Sequence, residues 1–455
     1  MNLNKRLVII GGGPAGNAAA TSAARKGVEV IVVEREIVGG AAHLLDCVPS
    51  KTMIATGGAM SFTESLSGMG LSNRDAEIDV NALTDRIEGI KNRLSNDMTS
   101  LLQSQGVTII RGSARLLNAN TVHVEASDGT THQIQADDIL ISTGTRPRIP
   151  QFAQPDGDRI LTTRDCYPPR IFPESVTIIG SGVTGVEFAH MFASFGSRVT
   201  LVVSRQQVLP GKDPEVAAVL EENFLSRGVR LYKGARATNI ERTENGVRVV
   251  CDDGRVSETT HAVLAIGSIP NTEDLGLEDI GVEMDGGYVV INRHCQSTVE
   301  HIYAAGDVSG KLPLSSVASM QGKKVAEQVV GGPRGPHRHL DYDKAASAIF
   351  TEPEIADVGL AEAEAFASGR KIRVTKVPFA TTAKALINND SRGFVKIISD
   401  PATGEVLGGS IVGRHAAELI SVIALAVTAN LKVSDIEESL LVHPALAEAL
   451  SEAAE

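Results

Sequence analysis

The stretch from Gly39 to Lys51, G-G-A-A-H-L-L-D-C-V-P-S-K, carries the residue types best suited to redox chemistry. Proline has no backbone N–H and disfavours the helical region for the residue before it, so Pro49 either starts a helix or distorts one just beyond Cys47. A helix start and the nearby ammonium of Lys51 both favour a thiolate over a thiol. These residues predict that Cys47 is a reactive thiol, with a buried and merely packed cysteine as the alternative.

A glycine-rich turn near the N-terminus is typical of an element that positions a dinucleotide. An apolar run enters Gly11, Gly13 and Gly16 in G-x-G-x-x-G spacing, and an alanine-rich helical stretch follows. Such glycines permit a tight turn, a close approach to a pyrophosphate, and close packing of helix on strand. The next strand, 28–33, ends at Glu34, where an acid that binds a ribose 2′-OH is expected. Strand, turn, helix and acid together predict a dinucleotide-binding unit.

A second glycine-rich turn predicts a second dinucleotide. Gly180, Gly182 and Gly185 repeat the spacing after another apolar run. The strand that follows ends at Val203 instead of an acid, and Arg205 comes two residues later. An acid there would repel a 2′-phosphate, whereas Arg205 can pair with one, so the unit is expected to accept NADPH alongside NADH. The alternative is that Arg205 is a solvated loop residue.

Composition bounds the class of protein. A chain of 455 residues is too long for one core and indicates about three domains. With 42% hydrophobic and 22% charged residues it is typical of soluble globular proteins, and a net charge of -12 argues against a nucleic-acid partner. We find neither an apolar run of about 20 residues nor a signal peptide, so no membrane association is expected. Four cysteines without metal or scaffold spacing predict a cytoplasmic protein without a metal site.

Several segments carry a family resemblance. The G-G start and C-V-P-S-K end of the stretch 39–51 resemble the redox-active region of the flavoprotein disulfide reductases, the family of dihydrolipoamide dehydrogenase and glutathione reductase. Thr143 and Gly144 resemble the family's A-T-G segment, and I-Y-A-A-G-D-V at 302–308 matches its second flavin motif. Recognition therefore rests on independent segments spread over nearly the whole chain.

The resemblance implies an α/β fold with two Rossmann-like dinucleotide-binding domains, for FAD and NAD(P), and an α+β C-terminal dimerisation domain. The implied domains are a first FAD-binding part at 1–150, an NAD(P)-binding domain at 151–270, a returning FAD-binding segment at 271–340, and the dimerisation domain at 341–455. The positions implied to bind a cofactor are Gly11, Gly13, Ala15, Gly16, Glu34, Arg35, Gly40, Ala41, Ala42, Lys51, Ala114, Thr143, Gly144, Asp307, Leu314, Ser315, Ala318, Gly180, Gly182, Gly185, Glu187, Ser204, Arg205 and Gly267.

The chain departs from the family at one catalytic position. Family members place two cysteines with four residues between them, and Ala42 stands at the first position here. Dithiol chemistry moves two electrons through a sulfur pair, so its route to a disulfide substrate is lost. The resemblance implies that Lys51 and Glu187 still pair beside flavin N5. Ser268 replaces an arginine of the family's A-I-G-R-x-P-N segment, which loosens nicotinamide binding.

The C-terminal segment predicts a homodimer. The apolar helical stretch 416–430 suits burial against a second copy. His443 and Glu448 resemble the family's H-P-x-x-x-E end, which crosses the dimer to reach the partner's disulfide. Without that disulfide, either His443 supplies a proton to a reduced acceptor or the pair is a residual interface hydrogen bond.

These features predict an FAD enzyme that oxidises NADH or NADPH and reduces quinone-type acceptors directly, with Lys51, Glu187, Cys47, His443 and Glu448 as its catalytic residues. The resemblance is strongest to the dihydrolipoamide-dehydrogenase-like quinone reductases. Three alternatives remain: a soluble NAD(P) transhydrogenase, a single-cysteine peroxidase or disulfide reductase, and a flavin-bearing redox sensor without turnover.

Overall fold

The structure, a computed structural model, describes residues 5–64, 66–72, 76–331 and 339–455. Residues 1–4, 65, 73–75 and 332–338 of the two predicted FAD-binding segments therefore lie outside the described residues. The chain divides into two compact units, and their segments are discontinuous in sequence. The first unit comprises Met1–Ser50, Thr84–Arg148 and Ser268–Tyr342, and the second comprises Lys51–Leu83, Ile149–Gly267 and Asp343–Glu455. The division into the four predicted segments stays a prediction.

The strands and helices are as follows. The strands are β1 Arg6–Ile10, β2 Glu29–Glu34, β3 Thr108–Asn118, β4 Thr121–Ala126, β5 Thr131–Gln135, β6 Asp138–Ile141, β7 Thr145–Pro147, β8 Ile160–Thr162, β9 Ser175–Ile179, β10 Arg198–Val203, β11 Arg230–Lys233, β12 Ala237–Arg242, β13 Val247–Cys251, β14 Val256–Thr259, β15 His261–Leu264, β16 Ser268–Pro270, β17 Met284–Asp285, β18 Tyr288–Val289, β19 Ile302–Ala304, β20 Ser347–Ile349, β21 Glu354–Gly359, β22 Arg373–Pro378, β23 Phe394–Ser399 and β24 Val406–Gly413. The α-helices are α1 Pro14–Ala24, α2 Val48–Glu64, α3 Val80–Ser104, α4 Val183–Ser194, α5 Pro214–Ser226, α6 Ser315–Val329, α7 Glu362–Ser368, α8 Ala383–Ile387, α9 Ala416–Ala429, α10 Val433–Glu437 and α11 Glu448–Ala454.

The first unit is built on a seven-stranded sheet in the order β19-β6-β1-β2-β3-β4-β5. Strands β19, β6, β1, β2 and the start of β3 run parallel, and β3 to β5 continue as an antiparallel meander. Parallel strands are covered on both faces, which explains their continuous apolar runs. Helix α1 packs closely on α6 because Gly322 has no side chain: a Cβ there would lie 2.1 Å from the backbone oxygen of Ala15. The predicted strand–turn–helix order is confirmed.

The second unit contains two five-stranded sheets. One is fully parallel, in the order β11-β10-β9-β15-β8, and the other is antiparallel, in the order β20-β21-β24-β23-β22. Helix α9 packs on the antiparallel sheet at Gly409, where a Cβ would lie 3.0 Å from the side chain of Ile423. The predicted fold class, with two Rossmann-like units and an α+β C-terminal segment, is confirmed.

Candidate functional site

Four predicted cofactor residues lie at one edge of the first sheet. Strands β1, β2, β6 and β19 are parallel neighbours, so the residues after their carboxyl ends meet at the same edge. Gly11 follows β1, Glu34 ends β2, Thr143 follows β6, and Asp307 follows β19. This edge is where doubly wound sheets bind nucleotides.

The first glycine turn has the shape of a pyrophosphate cradle. Gly11 has φ 106°, and a Cβ there would lie 2.3 Å from the backbone oxygen of Ser142. A Cβ at Gly16 would lie 2.1 Å from the backbone oxygen of Gly11. At Gly13, by contrast, the nearest atom to a Cβ would be 3.7 Å away, and no side chain caps the start of α1. The helix N-terminus therefore keeps open N–H groups beside space, which suits an anion.

Glu34 is fixed against this turn. Its Oε2 accepts a hydrogen bond from the backbone N–H of Gly12 at 2.6 Å, and its Oε1 accepts one from the N–H of Glu36 at 2.7 Å. The carboxylate is buried, and the next residue, Arg35, is exposed and pairs with Glu36 at 3.6 Å. Acceptor oxygens beside a glycine turn can bind ribose hydroxyls.

Asp307 belongs to the same edge and is partly buried. Its Oδ2 accepts a hydrogen bond from the hydroxyl of Thr145 at 3.2 Å. Burial raises the pKa of Asp307 above its ordinary value, and the charge of Asp46 raises it further. The hydrogen bond from Thr145 lowers this pKa and offsets part of the increase. The neighbouring Gly306 donates its N–H to Oε1 of Gln321 at 2.7 Å, which fixes the turn that carries the carboxylate.

The remaining predicted residues of the first unit have clear places. Ala15 and Ala318 flank Gly306, since a Cβ at Gly306 would lie 3.6 Å from the Cβ of each. Leu314 and Ser315 begin α6. Ala114 lies in β3, three residues beyond the point where Arg111 pairs with Glu34. Thr143 exchanges two hydrogen bonds with Asn271, which is next to Gly144 through a backbone hydrogen bond.

The predicted redox stretch packs directly on the glycine turn. A Cβ at Gly40 would lie 2.5 Å from the Cα of Gly13, and the N–H of Gly39 donates to the backbone oxygen of Gly12 at 2.8 Å. Ala41 then precedes a π-helical turn, Ala42–Cys47. Only glycine at position 40 allows this close approach, so the stretch is fixed beside the cradle.

The π-helical turn passes directly into α2 at Val48. Val48 has φ -62° and ψ -46°, in the helical region, although proline follows it. Val48 does not follow the average preference of a residue before proline, but α2 begins at this residue, so the prediction that a helix starts just beyond Cys47 is confirmed. A π-helical turn pairs residues i and i+5, so Ala42 and Cys47 lie about one turn apart on the same side of the helix.

Cys47 is the exposed thiol of the chain. Cys166, Cys251 and Cys295 are buried, and none of the four cysteines forms a disulfide. Burial raises the pKa of Cys295 to about 12 and raises that of Cys166 as well. The alternative that Cys47 is a buried, packed residue is wrong, because its side chain reaches the surface of the chain.

One residue of the stretch was not singled out from the sequence. His43 is partly buried, and among the described residues its Nδ1 has no hydrogen-bond partner. Burial lowers the pKa of His43, which favours the neutral ring. A buried, unsatisfied ring nitrogen beside the cradle fits a site that is completed by a bound molecule.

In the second unit, Lys51 and Glu187 form a close ion pair. Nζ of Lys51, on α2, lies 2.7 Å from Oε2 of Glu187, on α4. The other carboxylate oxygen accepts a hydrogen bond from the backbone N–H of Phe350 at 3.0 Å, and Nζ lies 5.1 Å from the centre of the Phe350 ring. Glu187 is 6% exposed at its side chain and Lys51 is 30% exposed. The geometry holds a fixed cation at one end of the buried carboxylate.

The second glycine turn repeats the first. A Cβ at Gly180 would lie 2.2 Å from the backbone oxygen of Ala265, and a Cβ at Gly185 would lie 1.8 Å from that of Gly180. A Cβ at Gly182 would meet nothing within 4 Å, and the same holds at Gly267, which has φ 89°. The turn therefore has the required tight packing on one side and space for a pyrophosphate on the other.

Ser204 and Arg205 follow the carboxyl end of β10 and are exposed. Strand β10 ends at Val203, which is fully buried, so a valine and not an acid stands at the end of this strand. Within the described residues no carboxylate forms an ion pair with Arg205. Its guanidinium is therefore available to an anionic ligand.

His443 and Glu448 form a pair at the C-terminus of the second unit. Nδ1 of His443 lies 2.7 Å from Oε1 of Glu448, and Oε2 accepts a hydrogen bond from the backbone N–H of Ala445 at 2.9 Å. The bonds from Ala445 and His443 lower the pKa of Glu448. The side chain of His443 is 73% exposed, so Nε2 is accessible from the surface of the chain.

The described residues contain no cluster of three or more His, Cys, Asp or Glu side chains that could hold a metal ion. In those same parts of the chain, none of the helices has the length and apolarity needed to cross a bilayer.

Two turns of this shape, each at the carboxyl edge of a parallel sheet, define a protein with two dinucleotide-binding units. A family model described as pyridine nucleotide-disulphide oxidoreductase matches residues 5–322, and the dimerisation-domain model of the same name matches residues 345–454. The chain belongs to the pyridine nucleotide-disulphide oxidoreductase family and is a flavoprotein oxidoreductase.

Two relatives match nearly the whole chain. The chain is 41% identical to a Mycobacterium tuberculosis protein named NAD(P)H dehydrogenase (quinone), over 99% of this chain and 93% of the relative. It is 32% identical to the dihydrolipoyl dehydrogenase of Zymomonas mobilis, over 98% of this chain and 96% of the relative.

Two solved structures share the fold. LpdA from Mycobacterium tuberculosis is 40% identical, with a TM-score of 0.94 and coverage of 99% of each chain. The HOCl-induced flavoprotein disulfide reductase RclA from Escherichia coli is 26% identical, with a TM-score of 0.87 and coverage of 99% of each chain.

Proposed function

We propose that the chain binds FAD in the first unit, oxidises NADH or NADPH bound in the second, and reduces a quinone-type acceptor without a disulfide intermediate. The observation that carries the proposal is Ala42, which stands one turn from the exposed Cys47 where a sulfur pair requires a second cysteine. The similarity to a relative named NAD(P)H dehydrogenase (quinone) supports the acceptor class.

The residues of the first unit fit FAD. The open space at Gly13 beside the start of α1 suits a pyrophosphate, and the carboxylate of Glu34 suits ribose hydroxyls. Asp307 offers an acceptor oxygen to the ribityl chain. When bound, FAD supplies hydride acceptance from nicotinamide and electron transfer to the acceptor.

The residues of the second unit orient the nicotinamide nucleotide and hold a fixed charge. The turn at Gly182 would hold the pyrophosphate, and Arg205 would attract a 2′-phosphate without excluding NADH. Glu187 holds Lys51 in one orientation, because its second oxygen is bound by the backbone of Phe350. We assign this pair the positioning of a cation beside the reacting ring.

The overall reaction converts NAD(P)H, a proton and a quinone into NAD(P)⁺ and a hydroquinone. The acceptor gains two electrons and two protons, and one of these protons is accounted for by the hydride of NAD(P)H. His443 can deliver the other from Nε2, because Nδ1 is bound by Glu448. We propose that residues 341–455 form a homodimer in which His443 serves the site of the second copy. Sedimentation of the holoenzyme tests this proposal, and a stable flavin-loaded monomer would contradict it.

A steady-state acceptor comparison tests the proposed function. With NADH as donor, the wild-type holoenzyme should reduce quinones and should not reduce lipoamide or glutathione disulfide. Ala42→Cys should gain lipoamide reduction, because the π-helical turn already places position 42 one turn from Cys47. Cys251→Ser, which changes a buried thiol, is the control and should alter neither activity.

A single-thiol mechanism is the second candidate, and the exposure of Cys47 favours it. In that case Cys47→Ser would abolish turnover with the best acceptor, including peroxides, while FAD stays bound. Under the direct mechanism the same variant keeps most of its quinone activity.

A further inference from the structure

A buried lysine in the C-terminal sheet has no role in the chemistry above. Lys396 lies on β23, and its side chain is fully shielded from solvent. Its Nζ lies 2.7 Å from Oδ2 of Asp213, 2.6 Å from Oε1 of Glu215 and 3.2 Å from Oε2 of Glu362. Burial alone would lower the pKa of Lys396, but the hydrogen bonds and charges of Asp213 and Glu215 raise it above the ordinary value. The lysine is therefore charged, and a buried charge is tolerated only when paired.

One of its partners, Asp213, ends the loop that follows β10. This nucleotide loop, residues 204–213, begins at Ser204 and ends at Asp213, immediately before α5. The preceding residue, Lys212, pairs with Asp357 of the C-terminal segment and donates to the hydroxyl of Ser347 at 3.2 Å. Two successive residues of the loop are thus bound to the antiparallel sheet.

The nucleotide loop also contacts the second glycine turn. The N–H of Leu209 donates to the backbone oxygen of Ser181 at 2.8 Å, and Ser181 stands between Gly180 and Gly182. Leu209 is buried and has φ 50°, a left-handed conformation that a leucine adopts only where its surroundings hold it. Within the loop, Nε2 of Gln207 donates to the backbone oxygen of Lys212 at 3.0 Å.

We propose that Lys396 is a positioning residue for the nicotinamide nucleotide. Through Asp213 it anchors the nucleotide loop, so that Leu209 fixes the glycine turn at Ser181 and Arg205 stands at the end of β10. The inference rests on the proposed binding of NAD(P)H at this turn, and it makes nucleotide affinity depend on the C-terminal segment.

Anaerobic stopped-flow reduction of the full-length holoenzyme tests the proposal. For Lys396→Met, the apparent Kd of both NADH and NADPH should rise at least tenfold, because the whole turn is affected and not only the 2′-phosphate contact. The limiting rate of flavin reduction should stay within twofold, and FAD content should be unchanged. Lys376→Met is the matched control: Lys376 also binds Glu215, at 2.8 Å, but is half-exposed, so its loss should change neither constant by more than twofold.

A second variant keeps the test decisive if Lys396→Met does not fold. Asp213→Asn keeps the shape of the side chain and the acceptor for the N–H of Ala363, but it removes the charge that pairs with Lys396. It should raise both Kd values in the same way. Unchanged Kd values in a folded, flavin-loaded Asp213→Asn variant would overturn the proposal. A wild-type enzyme that neither nucleotide reduces would instead overturn the proposed function.

Discussion

Replacing Arg205 by alanine should separate the two nicotinamide nucleotides. Arg205 is exposed, follows the end of β10, and has no carboxylate partner among the described residues. A phosphate that binds at this strand end would therefore meet an available guanidinium. NADH lacks the 2′-phosphate, so its binding does not use this contact.

The size of the effect follows from the exposure of the side chain. A hydrogen bond between charged groups contributes about 1.5–3 kcal/mol when shielded, and an exposed ion pair contributes at most about 1 kcal/mol. An exposed guanidinium facing a phosphate lies between these cases, at about 1–2 kcal/mol. This free energy corresponds to a loss of about 5- to 30-fold in kcat/KM for NADPH. The loss for NADH should be below about twofold.

The assay is the steady-state kcat/KM of the holoenzyme with each nucleotide at a fixed quinone concentration. Salt at 1 M shortens the screening length to about 3 Å. The advantage in kcat/KM for NADPH that the wild type has over Arg205→Ala should therefore shrink in 1 M salt. Arg230→Ala is the control: Arg230 is an exposed arginine at the opposite end of the same sheet, paired with Thr200. Equal losses for NADH and NADPH in Arg205→Ala would show that Arg205 does not read the 2′-phosphate.

Two further variants test separate parts of the site, and a third tests the stability of the second unit. Asp307→Ala should lower the FAD content of the purified protein, measured by the ratio of flavin to protein absorbance, whereas unchanged retention would remove Asp307 from the flavin site. Glu187→Gln keeps the acceptor for the N–H of Phe350 but removes the charge that holds Lys51. The limiting rate of flavin reduction should therefore fall about tenfold, since the activation free energy rises by about 1–2 kcal/mol, while the Kd of the nucleotide stays unchanged. The pKa of His190 is lowered to about 3 by burial and by the charges of Arg227 and Arg392. As the pH falls below about 6.5, His190 therefore binds a proton in the unfolded state but not in the folded state. The free energy of unfolding should therefore fall by about 2 kcal/mol between pH 7 and pH 5 on account of this residue, and urea titration of His190→Gln should lack that part of the decrease.

Local patterns were enough to predict the elements of the dinucleotide units. The apolar run before Gly11 became β1, the strand predicted at 28–33 became β2 Glu29–Glu34, and the apolar stretch at 416–430 became α9 Ala416–Ala429. These segments could be predicted because strand and helix periodicity, glycine turns and apolar runs are properties of neighbouring residues.

The helical conformation of Val48 was not predicted, because the rule for residues before proline describes an average preference. Val48 is held in the helical region by the helix on both of its sides.

Contacts between distant residues were beyond local patterns. Lys51 and Glu187 are 136 residues apart and were paired only through the family resemblance. Nothing in the sequence indicated that Phe350 would bind Glu187, or that a lysine on a strand of the C-terminal sheet would be fully buried against Asp213, 183 residues away. A lysine is ordinarily expected at the surface.

Reoxidation of the reduced enzyme tests whether electrons reach the acceptor without a sulfur pair. The holoenzyme is reduced anaerobically with one equivalent of NADH, then mixed in a stopped-flow instrument with a quinone or with lipoamide while the flavin absorbance is recorded. Direct transfer from the flavin predicts rapid reoxidation by the quinone, none by lipoamide, and the same quinone rate in Cys47→Ser. Faster reoxidation by lipoamide than by any quinone, or a flavin-loaded Cys47→Ser variant that the quinone no longer reoxidises, would contradict it.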